Sequence, residues 1–507
     1  MPLGPEPSIR NNHLKPAFAG NGLCRLQEVI LHKLDKHYIG GKWVASSASD
    51  FRDITNPATE QKSGEMILGT AADVDLAVAA AQTAFETFAF SSKQDRIEIL
   101  SNLIAEYQNR MGEMAAVITE EMGAPVKLAN AAHAPSGIGH LMTALEVLKT
   151  FSFHEDRGST RIQKEPIGVV GMITPWNWPI NQIACKVGPA LATGCTMVLK
   201  PSEVAPYSCQ LFTEMMDAAG VPAGIYNVVY GEGMTVGEAI SGHPGIDMVS
   251  VTGSTRMGAA VQANAAKTIK RVTQELGGKS ANILLDDADF EKAVTRETLS
   301  AMRNTGQTCT LLSRMLVPAA RMDEAANIAA RAAATVTVGD PNSEDTFMGP
   351  IAHGIQFGKV GELIQKAVDE GARLVSGGPG RPEGLEQGYF VKPTVFADVT
   401  PEMTIAREEV FGPVLSIMGY DSEDEAIRIA NDSPYGLSGA VQSADPERAR
   451  KVAARLRTGM VYINGAAGDL SAPFGGYKQS GNGREWGDHA FQDFLEIKSV
   501  LGFNSTS

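Results

Sequence analysis

The chain has 507 residues, 43% of them apolar, with 52 glycines, 26 prolines and a formal net charge of −14. That length exceeds what one hydrophobic core serves and predicts two or three domains, and the apolar share excludes a disordered chain. The acidic balance excludes a phosphate-coating nucleic-acid binder, which needs clustered Lys and Arg, and no apolar run approaches the roughly 18 to 20 residues of a membrane span.

Residues 1–36 lack the basic-then-apolar order of a secretory signal and are expected to form a poorly ordered extension, with the compact pattern starting near His37-Tyr38-Ile39-Gly40-Gly41-Lys42-Trp43. After the Asn56-Pro57-Ala58-Thr59 turn, helices are expected at Ala72 to Ala89, Asp95 to Met122 and Pro135 to Phe151, with Asp73 and Asp95 near helix starts. The polar segment His154 to Glu165 reads by residue type as a loop, with an exposed hairpin or partner-contacting arm as the alternative. From Gly168 short β-branched runs alternate with helical ones. Strands are expected at Gly168 to Ile173, Met197 to Lys200, Tyr226 to Tyr230 and Asp247 to Thr252, and helices at Ile180 to Ala192 and Tyr207 to Ala219. Such alternation produces a doubly wound parallel sheet whose ligands lie beyond the carboxyl ends of the strands. It resumes beyond residue 309, with a strand at Met315 to Val317, helices near Asp323 to Thr335 and Ile355 to Asp369, and a strand at Arg373 to Val375, so a second α/β domain is expected. Phe494 to Val500 reads as a last strand able to pair with another element.

Several loops carry chemistry. Thr174-Pro175-Trp176-Asn177-Trp178-Pro179 is stiff and apolar, and Asn177 is its only amide donor, the kind of group an oxyanion needs; a plain turn amide is the rival reading. Leu199-Lys200-Pro201-Ser202-Glu203 could clasp two ribose hydroxyls, and its carboxylate would repel a 2′-phosphate, favouring NAD over NADP. Gly231-Glu232-Gly233-Met234-Thr235-Val236-Gly237 has the wrong spacing for a dinucleotide fingerprint and reads mainly as a tight turn, with Gly233 kept among the cofactor-binding candidates. Thr252-Gly253-Ser254-Thr255 follows a strand and opens a helix, so its N–H groups and the Ser254 hydroxyl could meet a diphosphate, a simple helix cap being the alternative. Glu408-Glu409-Val410-Phe411-Gly412-Pro413 could hold a ribose and flank a planar ring, unless Phe411 is core. Pro473 to Glu485 is too Gly-rich for a helix and is expected to line a cleft or pack under one.

The chain is organised around Glu275 to Cys309. It opens with Glu275-Leu276-Gly277-Gly278-Lys279 and closes with Gly306-Gln307-Thr308-Cys309. A thiolate attacks carbonyl carbon, and a carboxylate of raised pKa can activate water against the acyl group left on sulfur. The other cysteines, at 24, 185, 195 and 209, form no Cys-x-x-Cys pair and no Cys/His cluster, so no metal site is expected and a reducing, cytoplasmic setting fits.

Six of these loops, Pro175-Trp176-Asn177, Lys200-Pro201-Ser202-Glu203, Thr252-Gly253-Ser254, Glu275-Leu276-Gly277-Gly278-Lys279, Gly306-Gln307-Thr308-Cys309 and Glu409-Val410-Phe411-Gly412-Pro413, occur in the order found in the NAD(P)-dependent aldehyde dehydrogenase superfamily, which the chain resembles from Tyr38 to Phe503. The resemblance implies an α/β, aldehyde dehydrogenase-like fold: two doubly wound α/β domains, cofactor and catalytic, plus a small β oligomerisation arm. The implied boundaries are 37–151 and 167–275 for the NAD-binding domain, 276–487 for the catalytic domain, and 152–166 with 488–507 for the arm. It implies Cys309 as nucleophile, Glu275 as general base, and Asn177 with the Cys309 backbone N–H as oxyanion hole. Thr174, Pro175, Trp176, Lys200, Ser202, Glu203, Gly233, Gly253, Ser254, Leu276, Gly277, Glu409 and Phe411 would bind NAD, with NADP possible. An aldehyde is the implied small-molecule substrate, and a homodimer or homotetramer the implied assembly. Asn181 to Lys186 and Ile463 to Asp469 resemble bacterial catabolic members acting on alicyclic, terpenoid or pyridyl-ketone-derived aldehydes. Leu311, Leu312, Trp176 and Trp178 suggest an apolar tunnel mouth, hence a medium or long hydrophobic aldehyde. The rivals are a coenzyme A-acylating enzyme, which Glu275 argues against, a non-catalytic binding protein, and a cysteine hydrolase, which the lack of His in all six loops argues against.

Overall fold

The computed structural model describes residues 31–504. Of the expected disordered extension, 1–30 lies outside the described residues, and 31–36 is corrected. His32–Leu34 runs parallel to Gln61–Ile67 and buries Leu34, and Lys36–Ile39 pairs with Lys42–Ala45, so side-chain burial and strand pairing both order this stretch.

Among the described residues the strands form four sheets. The eight-stranded sheet runs, in spatial order, Gly481–Asn482, Arg271–Glu275, Met248–Thr252, Val169–Ile173, Thr196–Lys200, Tyr226–Val228, Lys36–Ile39 and Lys42–Ala45. The strands from Arg271–Glu275 to Tyr226–Val228 are parallel, and those outside them pair antiparallel. Every residue of Val169–Ile173, Thr196–Lys200 and Met248–Thr252 is buried, as expected of strands covered by helices on both faces. The chain builds outward from Val169–Ile173 through Thr196–Lys200 to Tyr226–Val228, then crosses back to Met248–Thr252 and Arg271–Glu275. The order therefore reverses between Val169–Ile173 and Met248–Thr252, and the loops after these two strands part to leave a ligand crevice.

The seven-stranded sheet runs Arg373–Ser376, Thr394–Ala397, Val414–Tyr420, Arg314–Pro318, Ala281–Leu284, Ser438–Gln442 and Met460–Ile463, all parallel except the first pair. Arg271–Glu275 is thus the last parallel strand of one sheet and Ala281–Leu284 a central strand of the next, with only the Leu276 to Ser280 turn between them. Apolar clusters flank both sheets, one around Leu100, Tyr107 and Phe212, another around Leu316, Phe396 and Val441.

Several expectations change. The helix expected over Asp95 to Met122 is two helices, Lys93–Asn109 and Met111–Met122, because Arg110 adopts φ −112° and ψ 13° while its guanidinium reaches Glu113 and Glu214. The loop reading of His154 to Glu165 is corrected to a hairpin, His154–Arg157 with Thr160–Pro166, turning at Gly158 with φ +61°. Leu495–Val500 adds a third antiparallel strand to it, and Ile497 stands 72% exposed there. Instead of a bare tight turn, Gly233–Gly237 is a wide helical turn running into Glu238–Gly242. Gly481–Asn482, inside the span 276–487 assigned to the second domain, pairs with Glu275 and so joins the first sheet.

Candidate active site

The loop carrying Cys309 is held in an unusual backbone shape. Asn304, Thr305 and Gly306 are consecutive left-handed residues, with φ of 53°, 54° and 68°. Such a conformation is costly for a β-branched residue and persists only where surroundings impose it. Gly306 is required there, since a Cβ would overlap the Gly412 carbonyl. Asn304 Nδ2 donates to Asn177 O at 3.0 Å and to Gln307 O at 3.2 Å, and Thr305 Oγ1 donates to Gly349 O at 3.0 Å. Asn304 Oδ1 accepts from His133 Nε2 at 3.1 Å, and the same imidazole stacks on Trp178 with ring centroids 3.9 Å apart. Burial lowers the His133 pKa to about 3, so the ring is neutral and keeps this Nε2–H. Trp178 Nε1 in turn donates to Thr308 Oγ1 at 3.0 Å, beside the thiol. Asn177 Nδ2 donates one of its two hydrogens to Gln307 O at 3.1 Å. Asn177 and the Cys309 loop are thereby tied into one buried network.

Glu275 ends its strand and is buried, and neither carboxylate oxygen has a hydrogen-bond partner among the described residues. Burial first, and Glu485 second, push its pKa well above the usual carboxylate value. Glu485 is ion-paired with buried Lys186, so that ammonium is committed to another carboxylate. Burial first, and Glu275 second, likewise push the Cys309 thiol above its ordinary value.

Pro175, Trp176, Asn177, Gly253, Ser254, Glu275, Leu276, Gly277, Cys309, Glu409 and Phe411 line a single cavity of about 180 Å³ in the crevice beyond Ile173 and Thr252. Both readings of Ser254 have support: its hydroxyl caps the helix Thr255–Ala265 by accepting from Met257 N at 3.2 Å, and the residue lines the cavity. Glu409 accepts from Gly278 N at 2.8 Å, and burial raises its pKa. Phe411 is not core; it sits at φ 55°, edge-on to Trp176 with centroids 5.4 Å apart, on the cavity wall.

The remaining candidates lie outside this lining. Thr174 continues the backbone of its strand, Thr174 N donating to Lys200 O at 3.1 Å. Lys200 Nζ is 2.9 Å from Glu203 Oε2, and Ser202 Oγ accepts from Val204 N at 3.2 Å. Lys200 holds Glu203 below its usual pKa despite burial. Gly233 begins its helical turn next to Glu232, which pairs with Arg52.

Sequence reasoning missed Gln182, Thr252, His353, Gln356 and Lys359, all on the cavity wall. His353, Gln356 and Lys359 are three apart along the start of the helix Gly354–Asp369, so they share a face; polar residues at that spacing were the available signal. Gln356 Nε2 donates to Val410 O at 2.8 Å and Lys359 Nζ to Glu409 O at 3.2 Å, so this face also braces the Glu409 loop. A second cavity of about 420 Å³ flanks Cys309 through Thr308 and Thr310 and is walled by Trp178, Leu311, Leu312 and Tyr462. Its wall also carries Arg296, paired with Glu297 at 2.7 Å, and Arg303.

A doubly wound fold with a thiol, a buried carboxylate and dinucleotide-type loops around one crevice is an oxidoreductase architecture. The chain belongs to the aldehyde dehydrogenase family, whose sequence pattern matches residues 43–500. Among its relatives is a 3-succinoylsemialdehyde-pyridine dehydrogenase from a Pseudomonas species, 54% identical over 470 residues covering 92% of this chain and 98% of the relative. A variant of aldehyde dehydrogenase C from Pseudomonas syringae, crystallised with NAD+ and octanal, superimposes with a TM-score of 0.92 at 49% identity, covering 93% of this chain and 98% of the other. A Mycobacterium tuberculosis aldehyde dehydrogenase complexed with NAD+ gives a TM-score of 0.90 at 40% identity, covering 93% and 98%.

Proposed function

We propose that this chain oxidises a medium or long hydrophobic aldehyde to the carboxylic acid with NAD. The observation that carries the reading is the convergence of Cys309, Asn177 and Glu275 on the cavity that Gly253, Ser254, Leu276, Gly277, Glu409 and Phe411 also line. The fit of a dinucleotide rests on the helix N-terminus at Ser254, which suits a phosphate, and on Gly277, where a Cβ would overlap Glu409 Oε2 and so disturb that ribose-holding carboxylate. Lys200, Ser202 and Glu203 would hold the adenosine end, and Thr174 and Gly233 would complete the dinucleotide site with Pro175 and Trp176, which line the cavity. When bound, the dinucleotide supplies the hydride acceptor.

The chain's own residues carry the rest. Cys309 gives up its thiol proton to solvent and adds as the thiolate to the aldehyde carbon, and the oxyanion of the resulting thiohemiacetal is met by the free Asn177 Nδ2 hydrogen and the Cys309 N–H. After oxidation the acyl group remains on sulfur as a thioester. Glu275, kept from full solvation by burial, takes a proton from water, which adds to the acyl carbon; the C–S bond then breaks and the acid leaves. Trp178, Leu311, Leu312 and Tyr462 shape the second cavity for an apolar chain. The relatives named for a pyridyl semialdehyde and crystallised with octanal support an aldehyde of that bulk.

In this reading 37–151 with 167–275 is the cofactor domain, 276–487 the catalytic domain, and 152–166 with 488–507 an arm that pairs subunits into a homodimer or homotetramer. Four described cysteines, Cys185, Cys195, Cys209 and Cys309, are free thiols, which supports a reducing cytoplasmic setting. The test is reduced-nicotinamide formation with NAD over aldehydes of increasing chain length, with sedimentation for the assembly. Turnover that needs coenzyme A, or that favours short charged aldehydes, would replace this reading.

A further inference from the structure

Gln182 has no role in the mechanism above, yet it is 5% exposed on the wall of the cavity that contains Cys309 and Glu275. Four buried oxygens on this wall, Gln182 Oε1, Thr252 Oγ1, Glu275 Oε1 and Glu275 Oε2, lack a hydrogen-bond partner among the described residues. Buried acceptors are rarely left so, and several on the wall of one cavity mark a place where a water molecule would find partners.

The orientation of the amide is set from behind. Asn181 Nδ2 donates to His140 Nε2 at 2.9 Å, and Gln182 Nε2 makes a long bond to Asn181 Oδ1 at 3.5 Å. His140 can accept because burial keeps it neutral, its pKa lowered to about 3. With Nε2 turned toward Asn181, Oε1 is the prong left for the cavity. The helix Pro179–Thr193 presents this face to the base: Cys185 and Lys186, three and four residues further on, both lie within electrostatic reach of Glu275. Lys186 is held by Glu485, Asn177 donates to Gln307 O, and Thr252 offers a hydroxyl that can itself donate, so Gln182 is the unpartnered neutral amide acceptor on this wall.

We propose that Gln182 is the second acceptor for the hydrolytic water. The inference rests on the thioester reading of Cys309. One water hydrogen goes to Glu275 and the other to Gln182 Oε1, so a lone pair is aimed at the acyl carbon on Cys309. The C–O bond forms as Glu275 takes the first proton, the C–S bond breaks on collapse, and the second hydrogen stays on the departing acid. A neutral amide serves here because a second carboxylate would compete for the proton.

The experiment compares native protein with Gln182→Met and Gln182→Asn. It follows the first turnover of reduced nicotinamide by stopped flow and the acylated fraction of the Cys309 peptide by rapid quench and mass spectrometry. In Gln182→Met the first turnover keeps its rate, thioester hydrolysis slows about 10- to 100-fold, and acylated Cys309 accumulates. Gln182→Asn, which withdraws the oxygen by one methylene, gives a smaller slowing, and hydroxylamine, which needs no oriented water, restores turnover in both. Slowing of the first turnover and of hydrolysis by one common factor would overturn the proposal, as would unchanged hydrolysis in both variants. Absence of any first turnover in the native protein would instead overturn the parent reading, and this one with it.

Discussion

Gly277→Ala tests the proposed cofactor grip apart from the proposed catalytic residues. The backbone at Gly277 lies outside the left-handed region, so alanine fits its conformation, but the added Cβ would overlap Glu409 Oε2 and stand 2.8 Å from Glu409 Cδ. Glu409 must swing away, and it then gives up the bond that Gly278 N donates to Oε1 at 2.8 Å. A hydrogen bond to a charged group contributes about 1.5 to 3 kcal/mol, which at 1.4 kcal/mol per decade is roughly a 10- to 150-fold change in a binding constant. Calorimetric titration should therefore show NAD binding weakened by about that factor, with the melting temperature little changed because the displaced side chain is the flexible end of Glu409. Glu409→Ala should lose a similar amount, and the double variant no more than either, since both act through one carboxylate. Native NAD affinity in Gly277→Ala, or additive losses in the double variant, would refute the reasoning.

Three other outcomes follow from the site. Cys309→Ala should form no reduced nicotinamide with any aldehyde, whereas Glu275→Gln should keep one rapid turnover and lose about 10²- to 10⁴-fold in steady state; stopped flow distinguishes them, and a vanished first turnover in Glu275→Gln would contradict its assignment to hydrolysis. Glu203→Ser, which removes the carboxylate near a 2′-phosphate, should raise NADP relative to NAD efficiency at least about tenfold, and an unchanged ratio would place specificity elsewhere. Burial lowers the folded pKa of His133 and His140 from 6.5 to about 3. The neutral rings thus contribute stability that is complete above pH 6.5 and is lost as pH falls toward 3, up to roughly 4 kcal/mol each; a melting temperature that stays flat from pH 7 to pH 4 would exclude this.

The candidate site was legible in the sequence where it depends on distinctive residues in short loops. Asn177, Glu275 and Cys309 stand in such loops, and the structure sets all three on one cavity. The alternation after Gly168 likewise announced the parallel strands, because strands buried on both faces are continuous apolar runs. What stayed illegible depends on distant partners. Asn109 and Gly112 were the local signals for a break, but the turn falls between them at Arg110, whose guanidinium pairs with the distant Glu214. Gln356 and Lys359 sit on an ordinary amphipathic helix, and only its packing against the Glu409 loop turns that face to the cavity. Gln182 resembles any polar residue near a helix start until Glu275 is placed beside it. The extended reading of Pro473 to Glu485 as a segment under the cleft was nearer: Ser480 O accepts from Leu276 N at 3.0 Å, and Ser480 Oγ donates to Gly277 O at 2.7 Å.

That last ribbon links the catalytic carboxylate to the order of synthesis. Glu275 pairs with Gly481, and the Lys186 ammonium beside it is neutralised by Glu485, both contributed some 200 residues later in the chain. A chain synthesised as far as Cys309 therefore still lacks both the strand that flanks Glu275 and the carboxylate that neutralises Lys186, so this corner of the cavity is assembled by the C-terminal ribbon and not by the segment that carries the thiol.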